Sequence, residues 1–425
     1  MVRANTARWL PALLLGVAIV AAAAGCTVTD TKPLAKINPV QAQTQIPQEQ
    51  LLDVGIRTFD PGIPEALAKD DDALAKKRIF TDVRKAEAKF LPTLLRATLE
   101  STGQWGAVRV VPETVQFVDV LVTGRILEST GARLALEISA TDSSGRRWID
   151  ARRYASEADL GSYKTEAALK ARDPFQNVYS QIANDLLAAR QKLTDEQRRE
   201  VQRVTELRFD ADLAPQTFAG YVARDAKTGA TQVVRLPAQN DPLVQRARRI
   251  RERDAAVIDT VNGYYGGFSD QVRDSYGSWR QASQAEIEKE DKARASARTR
   301  TALGAVAVLG SIFVPSQCAA DNYNCRRIES AARTAGAIGG TAAVLSGIKK
   351  YSDARSHAQA LREVSASFQA ELAPQVVAVE GKTLRLTGSA EEQYREWRQL
   401  LKDLYNEETG VAPAATTETR PPAKS

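Results

Sequence analysis

The sequence predicts an α+β protein: a small α/β domain, its sheet mixed or antiparallel and accompanied by two helices, followed by a long, mainly helical domain with short β-hairpins. Three observations carry this. Val83–Ser101 places Phe90, Leu94, Leu95 and Leu99 at helical spacing, whereas Arg133–Asp142 alternates, with Leu134, Leu136 and Ile138 on one face. From Ala247 to Trp279 apolar residues recur in steps of three, four or seven, which puts them on one face of a long helix. Between such runs stand turn signals, Asp60-Pro61-Gly62 and Ser143-Ser144-Gly145 among them.

Residues 27–50 hold Pro33, Pro39 and Pro47 and lack a hydrophobic period, so they are expected to form a flexible tether. Leu51–Phe59 reads as a strand, Val83–Ser101 as a helix, and Val108–Val111 and Phe117–Ile126 as strands. Arg133–Asp142 and Arg146–Tyr154 form a hairpin about Ser143-Ser144-Gly145. Pro174–Leu193 returns to helix, and the charge-rich Thr194–Leu207 is expected to extend it. A hairpin over 218–236 turns at Asp225–Gly229 and precedes the long helix, whose stripe runs through Ala247, Ile250, Val257, Val261, Tyr264, Phe268, Val272, Tyr276 and Trp279. So long a helix needs a partner for its stripe, another helix or a second copy. Gly263, Gly266 and Gly267 are expected to interrupt it as a hinge or a close backbone contact. Val376–Glu380 and Thr383–Thr387 read as a third hairpin, Ala390–Tyr405 as a closing helix, and Pro413–Ser425 as a disordered tail. The expected organisation is 1–25 signal peptide, 26–50 lipidated cysteine and tether, 51–207 α/β domain and 208–240 hairpin connector. It continues with 241–350 as the long helical region, 351–410 as helix, hairpin and closing helix, and 411–425 as tail.

At the amino terminus Arg3 and Arg8 precede an apolar run from Trp9 to Ala24, which ends in Ala23-Ala24-Gly25-Cys26. That is the layout of a secretory signal peptide. The small residues before a cysteine resemble the bacterial lipobox, which implies lipidation of Cys26, and Thr27 after it implies sorting to the outer membrane, with the lipid anchor facing the periplasm. The strand–helix–strands–helix order, with Val54-Gly55-Ile56-Arg57-Thr58-Phe59, Val118–Ile126 and Asp142–Arg146 as its carriers, loosely resembles the amino-terminal domains of curli-secretion-channel and TolB-like envelope proteins. The resemblance covers about a third of the chain, rests on turn and core residues, and implies a fold rather than an activity.

Charge excludes one class of function. The 425-residue chain has a formal net charge of +6 spread along its length, and loss of Arg3 and Arg8 with the signal peptide lowers it further. No nucleic-acid partner is expected. Cys318 and Cys325 remain as an even pair and, in an oxidising periplasm, predict a disulfide worth about 2.5 kcal/mol for so short a loop. His357 is the single histidine: a two-His metal site has no second ligand, and a Ser-His-Asp triad or Cys-His pair would need this one residue, which lies in a polar helical stretch and reads as an exposed surface residue. Lys227-Thr228-Gly229 and Ser346–Lys349 match fragments of penicillin-binding-protein motifs in reversed chain order, and the first reads as a hairpin turn. Asp70-Asp71-Asp72 lacks calcium-loop spacing, and Gly263–Gly267 follows no strand and is no phosphate loop. No catalytic residue, metal site or cofactor is expected.

The sharpest pattern in the mature chain is a pair of small-residue apolar segments, Ala302–Val314 and Thr334–Ile348, flanking the cysteine loop. Gly336, Gly339, Gly340 and Gly347 lie on rows of small residues that let helix backbones approach closely, in a packed hairpin or at a membrane. Each arm reaches roughly 20 Å, short of a hydrocarbon core of roughly 30 Å. The expectation is a non-enzymatic, lipid-anchored scaffold or interaction protein that contacts the membrane through its anchor and binds other envelope proteins or itself. A membrane-active or channel-forming protein is the alternative, and an envelope enzyme a weaker third.

Overall fold

The structure, a computed structural model, describes residues 34–238, 240–313, 376–379, 382–385 and 390–409. The chain divides into Met1–Ala35 and Lys36–Ser425, and the architecture here is that of the second unit. Cys26, the disulfide pair Cys318 and Cys325, the glycines Gly336, Gly339, Gly340 and Gly347, His357 and the expected tail all lie outside the described residues.

The chain is α+β, as its patterning predicts. Strands β1 (Val54–Arg57), β2 (Val108–Val111), β3 (Val120–Ser129), β4 (Arg133–Asp142) and β5 (Arg147–Glu157) form one sheet in the order β2-β1-β3-β4-β5. It is mixed: β1 runs parallel to β2 and β3, and β3, β4 and β5 are antiparallel neighbours. A short helix α1 (Asp71–Lys76) and helix α2 (Thr81–Ser101) make the crossover that parallel strands require. Asp70 caps α1 by accepting from the Ala73 N–H, so the triple aspartate is a helix start. Helix α3 (Glu166–Ala171) is short, and α4 (Gln176–Gln191) packs beside α2 over the sheet. Val54, Ile56, Val120, Val122, Leu136 and Ile138 face Phe90, Leu95, Val178 and Ile182 in one core.

Two local departures from regularity build this layer. Pro92 sits inside α2 and has no N–H, which frees the Ala88 carbonyl four residues earlier; the Phe59 N–H donates to it at 2.8 Å. Gly124 on β3 leaves room for Phe59, whose ring a Cβ there would meet at 2.6 Å.

Thr194–Leu207 does not extend α4. The helix ends at Gln191 and a new one, α5 (Asp195–Leu213), begins with a capping box in which Thr194 and Gln197 bond reciprocally. Helix α6 (Pro215–Phe218) leads to the hairpin β6 (Val222–Arg224) and β7 (Thr231–Val233). Lys227-Thr228-Gly229 is its turn, with both the Lys227 and Thr228 N–H donating to Asp225 Oδ1.

Helix α7 (Pro242–Phe313) runs 72 residues without a break. Gly263 and Gly267 face open space and Gly266 lies beside the Arg96 guanidinium, so the three glycines make neither hinge nor tight backbone contact. The stripe meets the α/β domain itself rather than a separate helical domain. Ala247 and Ile250 pack on Phe209 and Phe218; Ile258 lies with Val111; Val261 and Tyr265 cover Val110; Val272, Tyr276 and Trp279 enter the main core. Tyr265, not Tyr264, is the buried tyrosine of that turn. Burying a large apolar side chain contributes about 1.5–3 kcal/mol, which suffices to fix a helix that could not stand alone. The same helix closes the β2 edge: Asn262 Oδ1 accepts the Val110 N–H at 2.9 Å, and Asp259 pairs with Arg109. The hairpin β8 (Val376–Val379) and β9 (Lys382–Arg385) follows, and α8 (Ala390–Thr409) returns to the first third of α7 through Tyr394, Leu401 and Tyr405.

The expected tether is seated in its last part. Ile37 N–H donates to Asn177 Oδ1 and Val40 N–H to Asn184 Oδ1, both at 2.9 Å, and Ala42 N–H to the Thr102 carbonyl at 2.8 Å. A segment with little apolar surface is held here by backbone hydrogen bonds to polar side chains of α4, which no hydrophobic period announces.

Candidate functional site

The joint between α7 and the α/β domain is built from polar side chains set into apolar helix faces. Glu87 on α2 follows Val83 by four residues and precedes Phe90 by three, so it belongs to the buried stripe, and it is fully buried. Its Oε1 accepts from Tyr276 Oη and Ser129 Oγ, both at 2.5 Å, and its Oε2 faces Arg84 Nε at 3.9 Å. Arg84 in turn donates to the Ile126 carbonyl at 3.1 Å.

One turn after Tyr276 comes Arg280, 2% exposed. Its Nη1 donates to Asp173 Oδ2 at 2.6 Å, and its guanidinium lies 4.3 Å from the Tyr276 ring centre and 5.0 Å from that of Phe175. Burial alone would lower its pKa; the Asp173 carboxylate, with Tyr276, Tyr179 and Tyr163, outweighs that and holds it well above the ordinary arginine value. The β3–β4 turn completes the joint. Gly131 N–H donates to Ser283 Oγ at 3.1 Å, Tyr163 Oη donates to the Gly131 carbonyl at 2.8 Å, and a Cβ on Gly131 would stand 2.0 Å from the Arg280 carbonyl oxygen.

Above this floor a cleft of about 780 Å³ opens between α2, α3 and α7. Phe90, Leu94 and Leu169 make it apolar, while Thr98, Gln176, Asp173 and Arg280 supply polar groups. Its walls are mixed, with charged and neutral polar side chains as prominent as apolar ones. Burial pushes the Tyr163, Tyr179 and Tyr276 phenols up, so none of the three exchanges a proton near neutrality. Among the described residues no group of three or more His, Cys, Asp or Glu could hold a metal ion, and no helix is long and apolar enough to cross a membrane.

A second, acidic set of buried groups lies along the first third of α7: Asp210 and Asp254 tie that helix to α5 and α8, and Asp119 nearby ties α5 to the start of β1. Asp119 accepts from Thr205 Oγ1 at 2.6 Å and from the Asp53 N–H at 3.0 Å. Burial nonetheless pushes its pKa up to about 7, against those two donors and with help from the Asp53 and Glu206 charges. Burial likewise raises Asp210 to about 6 despite Arg251 at 2.7 Å, and raises Asp254, which accepts from Tyr394 Oη and lies 3.7 Å from Arg398. A void of about 120 Å³ lies among Asp119, Asp254, Arg109 and Arg251.

None of the residues singled out in the sequence is in either joint, since Cys26, Cys318, Cys325 and the four glycines lie outside the described residues. Of the small-residue pair, Ala302–Phe313 is the end of α7. Arg280, Asp173, Glu87 and Asp119 went unread as site residues, and Tyr276 was read only as part of the apolar stripe. A signal existed: Asp254 four residues after Ile250, and Arg280 four after Tyr276, are charged residues on an apolar helical row. No family model matches the chain, and neither a curated protein nor a solved structure matches it.

Proposed function

We propose that this protein is a non-enzymatic, lipid-anchored component of the bacterial envelope that works by holding partners, with Cys26 as its anchor and α7 as its strut. The observation that carries the proposal is the continuity of α7. One helix runs from a base locked by two polar joints into the small-residue arm Ala302–Phe313, so a partner gripping the arm is rigidly coupled to the α/β body. The cleft beside Arg280 offers a second grip.

The test is photocrosslinking in intact cells from exposed α7 positions, Arg248 near the base and Glu288 and Lys292 farther along. Discrete protein adducts from Glu288 and Lys292, lost when Cys26→Ser prevents anchoring, are the expected result. Absence of adducts, together with flotation of the unlipidated Cys26→Ser chain on vesicles, would favour the membrane-active alternative and overturn the scaffold.

A further inference from the structure

Away from both joints, the geometry points to a binding site for a phosphate monoester in the cleft where the β4–β5 turn, α5 and the β6–β7 hairpin meet. The cleft measures about 450 Å³, and Arg57 from β1, Arg208 from α5 and Arg224 from β6 all line it. Three guanidinium groups from three elements repel one another, and such an arrangement persists where an anion repays it.

No carboxylate in the described structure does so for two of them. Arg208 donates to the Ser143 carbonyl at 2.9 Å and Arg224 to the Gly229 carbonyl at 3.3 Å, and neither pairs with an acid among the described residues. Burial, then the neighbouring Arg224 charge, lowers the Arg208 pKa, as expected of like charges without a counter-ion. The carboxylate in the wall, Asp142, pairs with neither of them and is held by neutral donors. It accepts from Ser144 Oγ at 2.5 Å, the Arg146 N–H at 3.0 Å and Trp148 Nε1 at 2.9 Å. Arg57 is positioned by donation to the Val115 carbonyl at 2.9 Å.

The walls are fixed rather than incidental. Thr231 N–H donates to the Ser144 carbonyl at 2.8 Å, and Val233 N–H to Glu200 Oε1 at 3.2 Å, so the hairpin that carries Arg224 is docked on both the turn and α5. Gly145, with φ +90°, lies so near the Gly229 carbonyl that a Cβ would stand 3.2 Å from it. Guanidinium forks match phosphate oxygens in pairs, and the Arg208 and Arg224 guanidinium groups, neither with an acid among the described residues, suit a dianionic phosphate better than a single carboxylate. The volume admits more than the phosphate alone, which points to an ester carrying an organic group. That group is either a small soluble alcohol or a lipid backbone.

Calorimetry on the full chain separates the two sources, with glycerol 3-phosphate as the soluble ester and short-chain dihexanoyl phosphatidic acid as the lipid with the same headgroup. Saturable binding of either, weakened at least tenfold by Arg208→Gln and by Arg224→Gln and falling with added salt, is the expected result. Equal affinity for the two probes identifies a soluble ester, and preference for the acylated probe identifies a lipid headgroup. Arg224 is exposed and holds one carbonyl, so Arg224→Gln is expected to melt like the wild type. Failure of both probes to bind, or unchanged affinity in an Arg224→Gln protein of normal stability, overturns the site.

Discussion

The two joints that hold α7 solve one problem with opposite charges. At Tyr276–Arg280 the buried group is a guanidinium, paired with Asp173 and faced by aromatic rings, and its charge persists at every physiological pH. At Asp119, Asp210 and Asp254 the buried groups are carboxylates, each with its pKa raised chiefly by burial, so their charge is conditional. Desolvation acts on both joints alike. Arginine begins far above neutrality and Asp173 holds Arg280 there, whereas burial lifts the aspartates, Asp119 to about 7 and Asp210 to about 6. The middle of the strut is held by a permanent charge, and its first third lies among carboxylates whose pKa burial raises.

The largest expected effect tests the permanent lock. Asp173→Ala strands a buried guanidinium, and loss of one partner from such a pair costs about 3–5 kcal/mol, read by urea unfolding. A loss below about 1 kcal/mol would show that the tyrosines suffice without the carboxylate. Gly131→Ala probes the same joint sterically. The new Cβ collides with the α7 backbone, where no side chain can swing aside, and overpacking of this kind costs about 1–3 kcal/mol.

The acidic joint predicts a sign. The folded pKa of Asp119, about 7, lies above its ordinary 3.8, so the folded state binds the proton more tightly. Its contribution is complete below about pH 4 and is lost as pH rises through about 7. Wild-type protein is therefore expected to unfold at lower urea at pH 8 than at pH 5. Asp119→Asn should reduce that difference by about 1–3 kcal/mol, and an undiminished pH slope in the variant would remove Asp119 from the account. The smallest effect belongs between the joints. Asn262→Ala uncaps the Val110 N–H on the sheet edge and releases Arg96, at about 1 kcal/mol and with no pH dependence.

Elements with a clean period were legible in the sequence. Arg133–Asp142 and Val108–Val111 appear with the bounds their alternation predicts, and Val83–Ser101 begins two residues earlier, at Thr81. Where two structures share one pattern the reading failed: Thr194 lies in a helical run, and only its reciprocal bonds with Gln197 mark a new start. The glycines of α7 misled for a related reason. Their cost is a local propensity, and the apolar contacts on either side of them exceed it.

What the sequence determined by itself is the α+β class, most of the strands and longer helices, and the existence of one long apolar stripe, because these depend on periodicities of 2 and 3.6 residues within a single segment. Its single histidine and its small, dispersed net charge are the grounds for the expectation that it is neither a nucleic-acid protein nor a histidine-based catalyst. Only the tertiary structure decided what the stripe packs on, why Glu87, Asp254 and Arg280 stand within apolar rows, and that Arg57, Arg208 and Arg224 share one cleft. Those facts join residues up to 189 positions apart, as Tyr276 is from Glu87. A buried charge has meaning only with its partner, and no local pattern encodes a partner so distant.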